Sequence, residues 1–243
     1  MKRREFITGL GAAALTVAAR PWAAEAPQLR IQERRAGKLG SGHYRIGALV
    51  FDDYETLDLH GPVEMLGHLA DVEIELIGPG AVARSFQGPK VVVDRPLAQL
   101  EPLDLFLVPG GLGTRALVQQ PELIELIRRQ ALMSERVLSV CTGAALLAQA
   151  GLLDGKRVTT NKAAFAWVAS LAPGADWQGR ARWVQDGNLT TSSGVSAGTD
   201  AALALIAEVR GEAVAQKIAE IAEYPWNRDA DNDPFAITWG THT

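Results

Sequence analysis

The chain has one cysteine, Cys141, in 243 residues. That excludes an internal disulfide and any multi-cysteine metal site. Four histidines, His43, His60, His68 and His242, show no metal-ligand spacing such as H-E-x-x-H. Lys/Arg runs are missing beyond the first residues and the short Glu33-Arg34-Arg35 patch, and the formal net charge is −4. The electrostatic footprint of a nucleic-acid binder is therefore absent. No apolar run suits a membrane span: the segment from Thr8 to Ala19 is short and rich in Gly and Ala. No stable membrane insertion is expected. Internal repeats and low-complexity tracts are also absent.

What remains is an ordinary globular composition, 47% hydrophobic and 21% charged. It is enough for one substantial core or two small ones. The N-terminus stands apart. Met1-Lys2-Arg3-Arg4-Glu5-Phe6-Ile7 is basic and carries a twin arginine, a small-residue apolar stretch follows, and Ala23-Ala24-Glu25-Ala26 offers small residues for cleavage. Residues 1–24 are expected to be an export signal read by the twin-arginine machinery, cleaved near Ala24, which places the mature protein in the periplasm or outside the cell. Removing Lys2, Arg3, Arg4 and Arg20 with Glu5 leaves a net charge of −7. A lone thiol in an oxidising compartment makes its redox state a question of its own.

Residues 25–43 read as a linker. Apolar runs at 44–51, 72–77, 103–108 and 136–140 read as strands, with short strands at 82–86, 90–93 and 156–160. Helical patterns occupy 57–66, 114–119, 121–133, 142–150, 163–170, 196–209 and 212–222. Pro62 is placed near the first turn of its helix, where proline is tolerated. Asp186-Gly187 marks a hairpin between strands at 180–184 and 189–192. Strands alternating with helices predict a mainly parallel sheet covered on both faces, one domain over 44–223. The stretch 224–243, rich in Pro, Asp and Trp, reads as an irregular surface tail.

In such sheets ligands bind beyond the carboxyl ends of the strands. Asp52–Asp58, Pro109–Gly113 and Cys141–Thr142 all fall there. Cys141 sits between an apolar strand and a Gly-Ala-Ala-Leu-Leu helix start. A thiol beside a helix N-terminus is expected to ionise more easily, and the thiolate is the nucleophile. Gly110 and Gly111 let backbone amides approach a ligand, so with the Thr142 N–H they could stabilise negative charge. Asp58 could hydrogen-bond the sulfur or exchange a proton with substrate or water. Each feature also has a structural reading: a small buried cysteine, a tight turn, an acid favoured by a helix dipole, a helix-start threonine. Trp167, Trp183, Trp226 and Phe235 could line a pocket, although apolar residues at such positions are more often core.

Together these residues resemble the ThiJ/PfpI family, whose fold is like that of class I glutamine amidotransferases. Leu57-Asp58-Leu59-His60-Gly61-Pro62, Val108-Pro109-Gly110-Gly111, Val140-Cys141-Thr142-Gly143-Ala144, Gly151–Gly155, Thr159-Thr160-Asn161 and Thr191–Gly198 look like its isonitrile hydratase branch. The resemblance covers about residues 44–223. It implies a flavodoxin-like three-layer α/β sandwich, usually a homodimer, with Cys141 at a nucleophile elbow. It also implies an acid at Asp58, oxyanion contacts from Gly111 and Thr142, a small-molecule substrate, and no metal or organic cofactor.

Several branches of that family place a His twenty residues after the nucleophile, where this chain has Asn161. A neutral amide can orient substrate or water but cannot act as a general base. His60, in the first helix opening, could approach the thiol, but the family pattern does not require it. A Cys-His peptidase mechanism is therefore disfavoured. Hydration of an isonitrile to an N-substituted formamide through a cysteine thioimidate needs only a thiol and a carboxyl group. The alternatives are a glyoxalase or deglycase, which usually leans on a base, and a periplasmic small-molecule-binding or oxidant-sensing protein. The same module also occurs in AraC-type regulators, and the sequence is expected to leave no room for their helix-turn-helix domain.

Overall fold

A computed structural model of the chain describes residues 43–238, 240 and 241. The expected export signal, and the expected linker apart from His43, lie outside the described residues.

The chain runs β1 (Tyr44–Leu49), α1 (Thr56–Gly67), β2 (Val72–Gly78), β3 (Val82–Arg84), β4 (Lys90–Val92), β5 (Arg95–Pro96) and β6 (Leu103–Val108). It continues through α2 (Thr114–Leu117), α3 (Pro121–Met133), β7 (Ser134–Val140), α4 (Gly143–Gln149), β8 (Arg157–Val158), α5 (Phe165–Leu171) and β9 (Asp176–Trp177). It closes with β10 (Trp183–Asp186), β11 (Leu189–Ser192), α6 (Ala197–Arg210) and α7 (Glu212–Ile221).

The main sheet has the order β10-β11-β7-β6-β1-β2-β5. Every pairing is parallel except β10 with β11. The chain leaves β1 for β2 on one side and returns to β6 on the other. Right-handed crossovers then put the connecting helices on opposite faces. α1 packs with α6, and α6 with α7; α4 packs with α2, α3 and α5. The sheet lies between these two helical layers, a flavodoxin-like sandwich. Ile46, Ala48, Leu105, Leu107, Leu138 and Val140 are fully buried, because both faces of the inner strands are covered. β1 and β6 diverge at the switch point, so a crevice opens beyond their carboxyl ends.

Several expectations are adjusted. The short strands around Gly88-Pro89 form a separate hairpin, β3–β4, outside the main sheet. The strand expected over 156–160 shrinks to β8, which pairs with β9 in a small parallel sheet of its own. β5 is too short for any periodicity to reveal it. α1 starts at Thr56, so Pro62 lies inside the helix and not in its first turn. Asp186-Gly187 does turn a hairpin, with Gly187 at φ +63° and register Asp186 to Leu189. Beyond Tyr224 the described tail forms no helix or strand. Among the described residues no helix is long and apolar enough to cross a membrane.

Candidate active site

Three segments leaving the sheet converge: the one after β1 that leads into α1, the one after β6, and the turn from β7 into α4. Cys141 occupies that turn with φ +56°, a left-handed backbone that a non-glycine residue adopts at a cost of about 1–3 kcal/mol. The surroundings hold both sides of it. Its N–H donates to the carbonyls of Ser192 and Ser193, each at 3.2 Å, at the end of neighbouring β11. Its own carbonyl accepts the Thr160 hydroxyl at 2.8 Å. The sulfur is turned out of the sheet toward Asp58, and the residue as a whole is only 6% exposed.

Asp58 is the third residue of α1 and is fully buried. Its Oδ2 accepts the Gly110 amide at 3.0 Å. Its Oδ1 is buried without a hydrogen-bond partner, and the carboxyl is close enough to the Cys141 thiol for each to shift the other's ionisation. Two local features aim it. Pro62 has no N–H to offer the carbonyl of Asp58, its i−4 residue, which loosens the helix at that point. The N-cap, Glu55, makes no side-chain cap bond. Gln87, at the tip of the β3–β4 hairpin, does the capping from outside: its Oε1 accepts the Thr56 amide at 3.1 Å and the Thr56 hydroxyl at 2.6 Å. Its Nε2 donates to Glu55 at 2.6 Å.

Gly110 leaves no room for a side chain. A Cβ there would lie 2.5 Å from the Thr142 nitrogen, 2.7 Å from Thr142 Oγ1 and 2.9 Å from Asp58 Oδ2. The next amide, of Gly111, donates to Thr142 Oγ1 at 2.9 Å. Thr114, fully buried, donates its hydroxyl to the Gly111 carbonyl at 2.7 Å and stands 3.2 Å from Thr142 Oγ1. At rest, both glycine amides are therefore occupied: Gly110 by the acid and Gly111 by the threonine. An oxyanion bound there would take the place of one of these partners. The Thr142 N–H and hydroxyl face the sulfur.

The electrostatics correct an expectation. Burial pushes the Cys141 thiol well above its ordinary range, the Asp58 charge pushes it further, and the Thr142 N–H opposes both. Burial likewise holds Asp58 well above the usual carboxylate range, with the neighbouring thiol and the Gly110 amide opposing and Glu55 adding to the rise. The helix-terminus effect is real but smaller than desolvation in so closed a site. Two negative charges here disfavour one another, so each group resists ionisation and the two titrate as a pair. That suits proton delivery better than standing thiolate chemistry.

Asn161 lies one residue beyond Thr160. Its Oδ1 accepts the Ala164 amide at 3.0 Å, capping the turn into α5, and its amide nitrogen packs on Gly194. Its acceptor is thus engaged within its own turn. His60 faces outward, exposed, with Nδ1 2.9 Å from the Thr56 carbonyl oxygen and its ring stacked on Tyr54. Of the aromatic candidates, Trp183 is buried core, Trp167 lies beneath Arg115, Trp226 beneath Arg228, and Phe235 is exposed. Sequence reasoning missed Gln87, Thr114 and the helix-internal role of Pro62. Thr160 and Ser193 were inside noted motifs but had no assigned task. Among the described residues, no cluster of three His, Cys, Asp or Glu side chains could hold a metal ion.

Residues 44–208 match the model of the DJ-1/PfpI family. An isonitrile hydratase of Pseudomonas putida is 38% identical over 183 residues, 74% of this chain and 78% of that protein. A ThiJ/PfpI family protein from Pseudomonas syringae superposes with a TM-score of 0.70 at 28% identity, covering 76% of this chain and 77% of that one. DJ-1beta of Drosophila melanogaster shares the fold, with a TM-score of 0.67 at 22% identity over 76% of this chain and all of that one.

Proposed function

The chain belongs to the DJ-1/PfpI family, and from the buried Cys141–Asp58 pair we propose that it is a cofactor-independent hydro-lyase of the isonitrile hydratase type. The observation that carries this reading is a buried thiol coupled electrostatically to a buried carboxyl group that burial keeps proton-loving. The similarity to a hydratase over most of the chain supports the same substrate class.

In the reaction, Cys141 sulfur bonds to the terminal carbon of R–N≡C, and a proton of the Cys141–Asp58 pair passes to that carbon. The product is a thioimidate, R–N=CH–S–Cys141. Water then adds to its carbon, giving one proton to Asp58, which passes it to the nitrogen. The C–S bond breaks as the new hydroxyl's proton moves to the sulfur, and R–NH–CHO leaves. One isonitrile and one water become one formamide, and covalent capture divides the hydration into two easier steps. Thr142 orients the water, and its hydroxyl can swing from Gly111 to free that amide for developing charge.

A panel of isonitriles, assayed for formamide release, tests the reading. Cys141→Ala and Cys141→Ser are expected to fold normally and to lose turnover altogether. Turnover by the Ala variant ends the covalent mechanism. A glyoxalase-type reading is weakened because Asn161, lacking a titratable group, is occupied in its own turn. An oxidant-sensing reading is weakened because a buried thiol held in its neutral form reacts slowly with peroxide. Mass spectrometry after mild peroxide, seeking two added oxygens on Cys141, checks that. The same proposal includes twin-arginine export with cleavage near Ala24 and a homodimer. N-terminal mass analysis of periplasmic material and sedimentation test those parts.

A further inference from the structure

Away from the thiol, the described chain buries a second charged cluster that the chemistry above does not use. Arg182, Asp200, Lys162 and Asp233 are each no more than 5% exposed. Arg182 Nε donates to Asp200 Oδ2 at 2.7 Å, and its Nη2 lies 2.5 Å from the same oxygen. Asp200 Oδ1 accepts the Asn227 amide at 2.9 Å. Arg182 Nη1 is 3.9 Å from Asp233 Oδ1 on the C-terminal tail. Lys162 feels the same carboxylate, and its Nζ donates to Thr159 Oγ1 at 2.8 Å and to the Ala181 carbonyl at 2.6 Å. Asp233 thus stands beside the Arg182 guanidinium and acts on Lys162 through its charge, while its Oδ1 also accepts the Phe235 amide at 3.0 Å.

The tail is laid along the segment that carries Arg182. The Arg182 amide donates to the Ala230 carbonyl and the Asp233 amide to the Arg180 carbonyl, each at 2.7 Å. From the two cations, short paths lead to opposite sides of Cys141. The Ser193 amide donates to the Arg182 carbonyl at 2.8 Å, and the Ser193 carbonyl takes the Cys141 N–H at 3.2 Å. Lys162 holds Thr159, whose neighbour Thr160 holds the Cys141 carbonyl at 2.8 Å. The strained φ of Cys141 needs a hold on both peptide groups. One hold runs through the Arg182 backbone and the other through Thr160 beside the Lys162 partner Thr159, and the Asp233 charge acts on both cations, with Asp200 the nearer anion to Arg182.

We infer that Asp233 is a positioning residue for Cys141: the C-terminal tail clamps the elbow through Arg182 and Lys162. The inference rests on Cys141 being the reacting group and not on the identity of its substrate. Without the Asp233 charge the buried cluster has two cations and one anion. The segments carrying Arg182 and Lys162 then relax, and the elbow relaxes with them.

The test compares Asp233→Asn, Asp233→Glu and Asp231→Asn in the full chain. The first readout is the second-order rate of Cys141 alkylation by iodoacetamide under native conditions. Asp233→Asn is expected to raise it about tenfold, because the closed sulfur becomes accessible. Turnover is expected to fall about tenfold or more in kcat with little change in KM, since a misplacement near 1 Å suffices for that. Asp233→Glu restores most of both, and Asp231→Asn, exposed two residues away, changes neither. Should Asp233→Asn fail to fold, Arg182→Lys carries the test, since it keeps the charge and loses the fork that grips Asp200. Alkylation and kcat within twofold of the unsubstituted chain, in whichever variant folds, overturn the inference. An alkylation response without isonitrile turnover in any variant leaves the clamp standing and removes the hydratase reading.

Discussion

The Gly110 amide donates to Asp58 Oδ2 at 3.0 Å, tying the turn after β6 to the acid on α1. This bond fixes one carboxyl oxygen and leaves the carboxyl's remaining capacity for the Cys141 thiol. It also brings the loop so close to Thr142 that position 110 has no space for a methyl group.

Gly110→Ala is therefore expected to cost about 1–3 kcal/mol of stability, the range for forcing an extra carbon into a packed site. The larger effect falls on chemistry. The new Cβ displaces Asp58 or Thr142, and turnover drops by about a hundredfold, as a misplacement near 1 Å allows. Denaturant melts and steady-state kinetics on the same preparation check both.

Gln87 reaches the site only through α1. Its amide caps Thr56 in place of an N-cap side chain. Gln87→Ala is expected to lower stability by about 1 kcal/mol, the ordinary cost of a lost cap. Because Asp58 lies in the same first turn, kcat should fall while KM changes little. Gln87→Glu keeps the acceptor but sets a charge against Glu55 and near Asp58. It is expected to lower kcat as well, and added salt should soften its effect. Urea melts with kcat and KM measurements distinguish these outcomes.

What could be read from the sequence follows physical range. Three inner strands and the elbow were legible because burial on both faces writes mainly apolar runs at 44–49, 103–108 and 136–140. Cys141, Asp58, Gly110 and Thr142 were legible as candidates because each sits at the end of such an element. The direction of the thiol shift was not. Local sequence shows the helix terminus that stabilises a thiolate, but it does not show how deeply the surrounding segments bury the sulfur. Gln87 was invisible for a related reason: its partners are Thr56 and Glu55, about thirty residues away in sequence. The Asp233 clamp is longer in range still. Gly111 was placed at the site, but the occupant of its amide depends on a threonine rotamer, which no spacing encodes.

Asn161 separates a structural from a catalytic task. Its Oδ1 caps the turn into α5 through Ala164. Asn161→Asp keeps that acceptor and is expected to retain stability. Asn161→Ala removes it and should cost about 1 kcal/mol. If the side chain serves only the turn, turnover by the Ala variant stays within about tenfold of the parent, a ΔΔG‡ near 1.4 kcal/mol. A loss of several orders of magnitude with unchanged melting gives the amide a direct part in binding substrate or water. Turnover and thermal midpoints for the two variants, measured together, decide it.

Asp58 links the site to stability through pH. Burial raises its folded-state carboxyl well above the unfolded value of 3.8. The folded state therefore holds a proton that the unfolded state gives up as pH rises past that value. Stability associated with this group is fully present below the unfolded pKa and is lost as pH climbs through the folded one. Asp58→Asn removes the ionisation while keeping an oxygen for the Gly110 amide and an N–H₂ that can face the sulfur. The variant is expected to match the parent near pH 3.5 and to melt higher than the parent at pH 7, with the gap widening between. Its turnover should be lost throughout, because an amide cannot carry the proton. Thermal melts across that pH range, alongside isonitrile assays, test both halves. A variant that melts lower than the parent at neutral pH shows that the carboxylate form is the one the fold prefers.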